Sequence, residues 1–339
     1  MIYKITCYFI YIAALIHKKQ MHFSKFAVLI LFLRCMVCIS VTTAQQIQVI
    51  SDSTYTLTFR PSKNISNKTL LIDTYHKTVF QRPQKDQANE VMLKLARQDG
   101  FRIDYINKPH LKENLQSGAI LLIEGLPNEQ IIVNEHPKAI FQKSPLSDAE
   151  VDNITRWIAN GGRLFLFLSH YPNGSGGKPL LEALGVRFRD GGASHPNFPG
   201  INGDPCAWFT MTLDNGLINN NHPVLSDIKD QELSVKTARF LCATAIFRNP
   251  EDVILAFPKG TTHLAPYENE RSELRETSDS YAGLLGFVFG KGKVIISSDL
   301  GVFRNQKVIN GNMVYYNTIT DPKADNAKLL VNCLRWLSE

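Results

Sequence analysis

The chain has 339 residues, of which 44% are hydrophobic and 20% charged, and its formal charge is +6. Nearly all of that excess lies in residues 1–44, which carry Lys4, Lys18, Lys19, Lys25 and Arg34 and no acidic group. Taking these 5 from the 37 basic residues leaves 32 against 31 acidic ones, a net of +1, with no basic–aromatic stripe to recruit nucleic acid.

Residues 1–44 read as a leader. Two apolar runs lie at 7–16 and 26–33, and the second follows Met21-His-Phe-Ser-Lys25 and leads to Thr42-Thr43-Ala44. A basic start, a short apolar core and small residues ahead of a cleavage point predict a secretory signal peptide, with Met21 as its start. The stretch 26–41 is 16 residues long and interrupted by Arg34, short of the roughly 20 that span a bilayer; a retained anchor there is the alternative. The expected location is periplasmic or extracellular. Cys206 and Cys242 can pair in an exported chain, and Cys333 falls on the apolar face of a predicted helix. No CxxC spacing remains to mark structural zinc.

After the leader, 45–66 reads as a short β segment, from the alternation of Ile47 and Val49 and of Tyr55, Leu57 and Phe59. The run TLLID at 69–73 is a buried strand. A helix follows over 86–98, with Val91 and Leu95 on one face and Gly100 as its stop. Strands are expected at 101–106 and 119–124. Ser147-Asp-Ala-Glu150 is a capping box opening a helix with Val151, Ile154 and Ile158 as its buried stripe, and Gly161-Gly162 ends it. The strand 164–168 comes next. This βαβ rhythm predicts an α/β fold, a doubly wound and mostly parallel sheet with helices on both faces. The section 187–285 reads as an inserted, β-containing region: loop over 187–205, strands at 242–247 and 253–257. Residues 281–289 and 293–298 flank Gly290-Lys291-Gly292 as a hairpin. A last helix runs from about Pro322 to Leu337 with Asp321 as N-cap, burying Leu330, Cys333, Leu334 and Leu337.

Open parallel sheets bind ligands beyond the carboxyl ends of their strands. Those ends carry Asp73, Thr74 and His76; Glu124; Ser169 and His170; and Asp299. Asp73 with His76 has the residue types for orienting a ligand, holding a metal or acting as an acid–base pair. Equally, Asp73 caps the next turn. Ser169 and His170 are neighbours on an extended chain and point to opposite faces, so they do not make a catalytic dyad. The glycines of a nucleophile elbow are absent, since Phe167 and Tyr171 stand in their places. Asp299 binds a ligand or hydrogen-bonds amides of the loop to Phe303. Metal ligation by His76, His170 and a carboxylate uses suitable donors without a diagnostic spacing.

Three stretches resemble the uncharacterised domain shared by gliding-motility ABC-transporter accessory proteins and intraflagellar-transport proteins. They are LLIDTYHKTVF from Leu70, the Asn221-His222-Pro223-Val224-Leu225 element, and the block from Gly290 to Asp299 with Phe303–Asn305 and Asp325-Asn326-Ala327 opening the last helix. The resemblance implies a class I glutamine amidotransferase-like, flavodoxin-like domain over 67–339. It implies a non-catalytic role in binding carbohydrate or an envelope partner, with Ser169 standing about where the amidotransferases carry their cysteine. The expectation is an exported binding or scaffolding protein with Asp73, His76, Ser169, His170 and Asp299 as ligand-facing residues. The alternative is a hydrolase, with or without a metal, using His76 or His170 with Asp73 or Asp299. No cofactor is specified.

Overall fold

The computed structural model describes residues 48–65, 68–76, 78, 88–127, 143–170, 174–200, 207–226, 231–241, 243–264, 272–273, 281–310, 313–316 and 318–339. The expected leader with a start at Met21, the expected pairing of Cys206 with Cys242 and the first residues of the expected 86–98 helix lie outside the described residues. Residues 49–309 and 313–339 make one compact unit. A second unit holds 1–48 and 310–312, of which only Gln48 and Asn310 are described.

Apolar runs become the centre of the sheet. β1 (Thr69–Asp73), β2 (Arg102–Ile106), β3 (Ile120–Glu124) and β4 (Arg163–Phe167) are the strands of the predicted βαβ region. β5 (Arg187–Arg189), β6 (Ala245–Phe247), β7 (Val253–Ala256), β8 (Ala282–Phe289) and β9 (Gly292–Ser297) complete it. The order is β2-β1-β3-β4-β9-β8-β6-β5, with β7 paired to β8. β2, β1, β3, β4 and β9 are mutually parallel. β8, β6, β5 and β7 run antiparallel to their neighbours. The sheet is mixed and mostly parallel, and β1 and β3 are buried at every position, as strands covered on both faces must be.

Alternation along the strands sorts two apolar layers. Leu70, Ile72, Ile120, Leu122, Phe165, Phe167 and Ile295 face helix α1 (Glu90–Gln98) and the C-terminal helix α4 (Asn326–Ser338). Leu71, Leu121, Ile123, Leu164, Leu166, Val294 and Ile296 face α2 (Asp148–Ala159) and α3 (Lys178–Ala183). The capping box of α2 forms as predicted: the Glu150 amide donates to Ser147 Oγ and the Ser147 amide to Glu150 Oε2. β8 and β9 form the expected hairpin, turning at Gly290 with φ +62°, where a side chain would also meet the backbone of Ala159.

Several boundaries differ from expectation. The β character of 45–66 is confined, among the described residues, to the strand Gln48–Ser51. Residues 187–205 contain β5 and the strand Gly192–Ser194, because each finds an edge to pair with: β6 for the first, Thr262–Leu264 for the second. The last helix begins at Asn326 rather than near Pro322. Asp321 opens a turn instead, its Oδ1 accepting the Lys323 amide at 2.8 Å while its Oδ2 lies 2.5 Å from Arg239 Nη1, and Asp325 takes the N-cap position.

Candidate functional site

The parallel strands deliver Asp73, Glu124, Ser169 and Asp299 to one edge, as expected, but period-two alternation divides them between the two faces. Asp73 follows Leu71 on the α2 face, whereas Glu124 and Asp299 continue the rows of Leu122 and Ile295 on the α1/α4 face.

On the α2 face a compact polar cluster is buried. Asp73 is fully buried; its Oδ1 accepts the Tyr75 amide at 2.8 Å and its Oδ2 lies 3.0 Å from His76 Nδ1. The other ring nitrogen, His76 Nε2, lies 2.6 Å from Glu150 Oε1, and that oxygen also accepts the His110 amide at 2.9 Å. His110 Nε2 approaches Asp73 Oδ2 at 3.4 Å without hydrogen-bond alignment, and the two imidazoles are 4.5 Å apart. His110 is fully buried, and neither ring nitrogen has a hydrogen-bond partner among the described residues. A buried polar group left so costs about 1–3 kcal/mol.

Charge balance in this cluster is set by its members. Burial opposes the charged ring of His76, but the Asp73 and Glu150 carboxylates on its two nitrogens override it and raise its pKa. Burial likewise opposes ionisation of Asp73, yet the His110 and His76 rings hold its carboxyl below the ordinary range. For Glu150, burial is outweighed by hydrogen bonds from Ser147, the His110 amide and His76, which bring the pKa down to about 2. Asp73, His76 and His110 form a grouping whose ligand atoms lie within 4.8 Å of one another. His170 is not in it; it is half-buried at the end of β4.

On the opposite face, Glu124 accepts from Asn89 Nδ2 at 2.6 Å and lies 3.7 Å from Arg304 Nε. Asp299 engages backbone amides, one of the two roles expected of it: Oδ1 accepts the Gly301 amide at 2.6 Å and Oδ2 the Leu241 amide at 2.9 Å. Burial pushes its pKa up to about 7, against the pull of those amides and of Arg304. Ser169 is buried, and Gly174 lies so close that a side chain there would collide with the Ser169 backbone.

The Leu241 contact ties the Asp299 strand end to a two-stranded sheet from the inserted section. Strands Trp208–Thr212 and Thr237–Leu241 pair antiparallel, burying Phe209, Met211, Ala238 and Phe240 and leaving Trp208, Thr210 and Arg239 on the outer face. Those three residues, with Val314, Asp321, Pro322 and Lys323, line a cleft of about 350 Å³. The Arg239 guanidinium stands 5.7 Å from the centre of the Trp208 ring while gripping Asp321. Reading from strand ends missed His110, Glu150 and this cleft. His110 had one available signal, its position four residues past the end of β2.

No family model and no curated protein sequence matches the chain. Solved structures do match. The "mmIFT52 N-terminal domain" superposes with a TM-score of 0.52 at 13% identity, over 80% of this chain and 97% of that one. A ThuA-like protein from Bacteroides uniformis gives 0.42 at 14% identity, over 84% and 95%. A cytoplasmic protein from Salmonella typhimurium gives 0.41 at 15%, over 80% and 98%. At 13% identity the first of these superpositions shows a shared fold and nothing further.

Proposed function

We propose that the chain is an exported binding protein built on a class I glutamine amidotransferase-like domain, and that its ligand is a carbohydrate. The observation that carries the reading is the cleft of Trp208, Arg239 and Asp321 beside the carboxyl end of β9. Its volume falls within the range of small-molecule sites, and it joins an aromatic surface to a few fixed polar groups. A half-buried indole offers an apolar face for the C–H face of a sugar ring. Arg239, already oriented by Asp321, presents donors next to a carboxylate acceptor, the pairing that vicinal hydroxyls satisfy. Ser169 in place of a thiol, and strand-end carboxylates engaged with their own neighbours, support binding over amide hydrolysis.

Titration calorimetry with a panel of mono- and oligosaccharides tests it. Losing ~50 Å² of indole contact at ~25 cal/mol/Å² costs ~1.3 kcal/mol, so Trp208→Ala weakens binding about tenfold. Arg239→Ala should weaken it at least as much. No saccharide bound by the wild-type chain, or binding indifferent to both substitutions, refutes the proposal.

A further inference from the structure

We propose that Asp73, His76 and His110 bind one first-row divalent cation, zinc being the best match to two imidazoles and a carboxylate. Three observations converge on it. Ligand atoms around a tetrahedral zinc at about 2.0–2.2 Å are about 3.3–3.5 Å apart. Asp73 Oδ2 lies 3.0 Å from His76 Nδ1 and 3.4 Å from His110 Nε2, close to those separations, and all three ligand atoms lie within 4.8 Å of one another.

The second observation is His110 itself. Its ring is fully buried with no hydrogen-bond partner among the described residues, yet it is aimed at the carboxylate. Its contact with Asp73, at 3.4 Å, is out of hydrogen-bond alignment, and a lone pair on Nε2 directed at a cation would give that ring an aligned partner. The third is Glu150, which holds His76 Nε2 at 2.6 Å on the side away from Asp73. Metal-bound histidines commonly donate their second nitrogen to a carboxylate, which fixes ring orientation and tautomer. Glu150 is in turn fixed by the Ser147 capping box and the His110 amide, so the support is tied to the start of α2. The site is separate from the Trp208 cleft, and either proposal can fail alone.

The test uses the untagged, chelator-treated chain, titrated with Zn²⁺ and with Co²⁺ as a spectroscopic probe. The expected result is one bound equivalent and a tetrahedral cobalt absorption without thiolate charge-transfer bands. Asp73→Ala and His110→Gln should abolish the stoichiometric site. Glu150→Gln should keep the stoichiometry and weaken affinity about 10–100-fold. Failure of the wild-type chain to bind either ion saturably overturns the proposal, and needs no variant to fold. So does a cobalt spectrum showing thiolate ligation, or binding that survives His110→Gln unchanged.

Discussion

Asp299→Asn isolates a proton that burial holds well above the ordinary carboxyl range. The carboxyl lies at the end of β9, where burial pushes its pKa up to about 7 from 3.8 in the open. A gap of about three units at ~1.4 kcal/mol each puts ~4 kcal/mol, as an upper bound, on its pH-dependent contribution to stability. The folded state binds this proton more tightly than the unfolded state. The contribution is therefore complete below the unfolded value and is lost as pH rises through 7. Asparagine cannot titrate, and it gives up one of the two amide contacts from Leu241 and Gly301, a roughly constant cost of ~1 kcal/mol. Urea unfolding of both proteins across this window, read at constant m, should show the wild-type advantage shrinking from about pH 4 to about pH 7. Its slope should approach ~1.4 kcal/mol per pH unit. An advantage that is flat or grows with pH would show that the two amides and Arg304 stabilise an ionised carboxylate, and the reasoning from burial would be wrong.

Other substitutions probe the scaffold around the two sites. A methyl group at Gly292 would overlap the carbonyl oxygens of Ile158 and Gly162, both backbone, so Gly292→Ala should cost roughly 2–3 kcal/mol in urea unfolding. Ser147→Ala removes the N-cap of α2 and should cost about 1 kcal/mol. Glu150→Ala should cost distinctly more, because it also strips a carboxylate from buried His76; equal losses would mean that the His76 contact contributes nothing. Arg335→Ala breaks the paired contacts to buried Asp99 at 2.8 and 2.9 Å, with an expected loss of about 2–3 kcal/mol by thermal or urea unfolding.

The sheet was legible because its signals are local. TLLID and AILLIE are continuous apolar runs, and a run buried on both faces admits few other placements. The α2 start was written in four consecutive residues. The Gly-Lys-Gly turn identified β8 and β9 without reference to anything distant. What was not legible depends on separation in sequence. Glu150 read as a satisfied capping residue; its second oxygen reaches a histidine 74 residues away, and no periodicity encodes that. His110 sits after Pro109 in a segment without pattern, and joins the cluster only because β2 and β1 are neighbours. Asp321 shows the reverse error. Its local context, an acid before a proline, is a good helix start, yet the amides it accepts from Lys323 and Ala324 close only a turn, an arginine 82 residues away takes its second oxygen, and the helix begins four residues later.

The division of the edge by the sheet matters for function more than the edge itself does. Six polar side chains on four strand ends looked like one site, yet successive residues of a strand serve opposite layers. Asp73 belongs with α2 and Asp299 with α4, and the apolar strands lie between them. A mechanism pairing His76 with Asp299 therefore has to act across the sheet, and proton transfer needs hydrogen-bond reach. His76 has that reach only to Asp73 and Glu150 among the contacts described. The chemistry open to this fold is thus two separate chemistries. One is a nitrogen–oxygen donor set enclosed beneath α2; the other is an aromatic and charged cleft lined by Trp208, Thr210 and Arg239 of the inserted section and by Val314 and Asp321–Lys323. The enclosed set is suited to an ion, which needs no room, and the cleft to a ligand with a ring, which does.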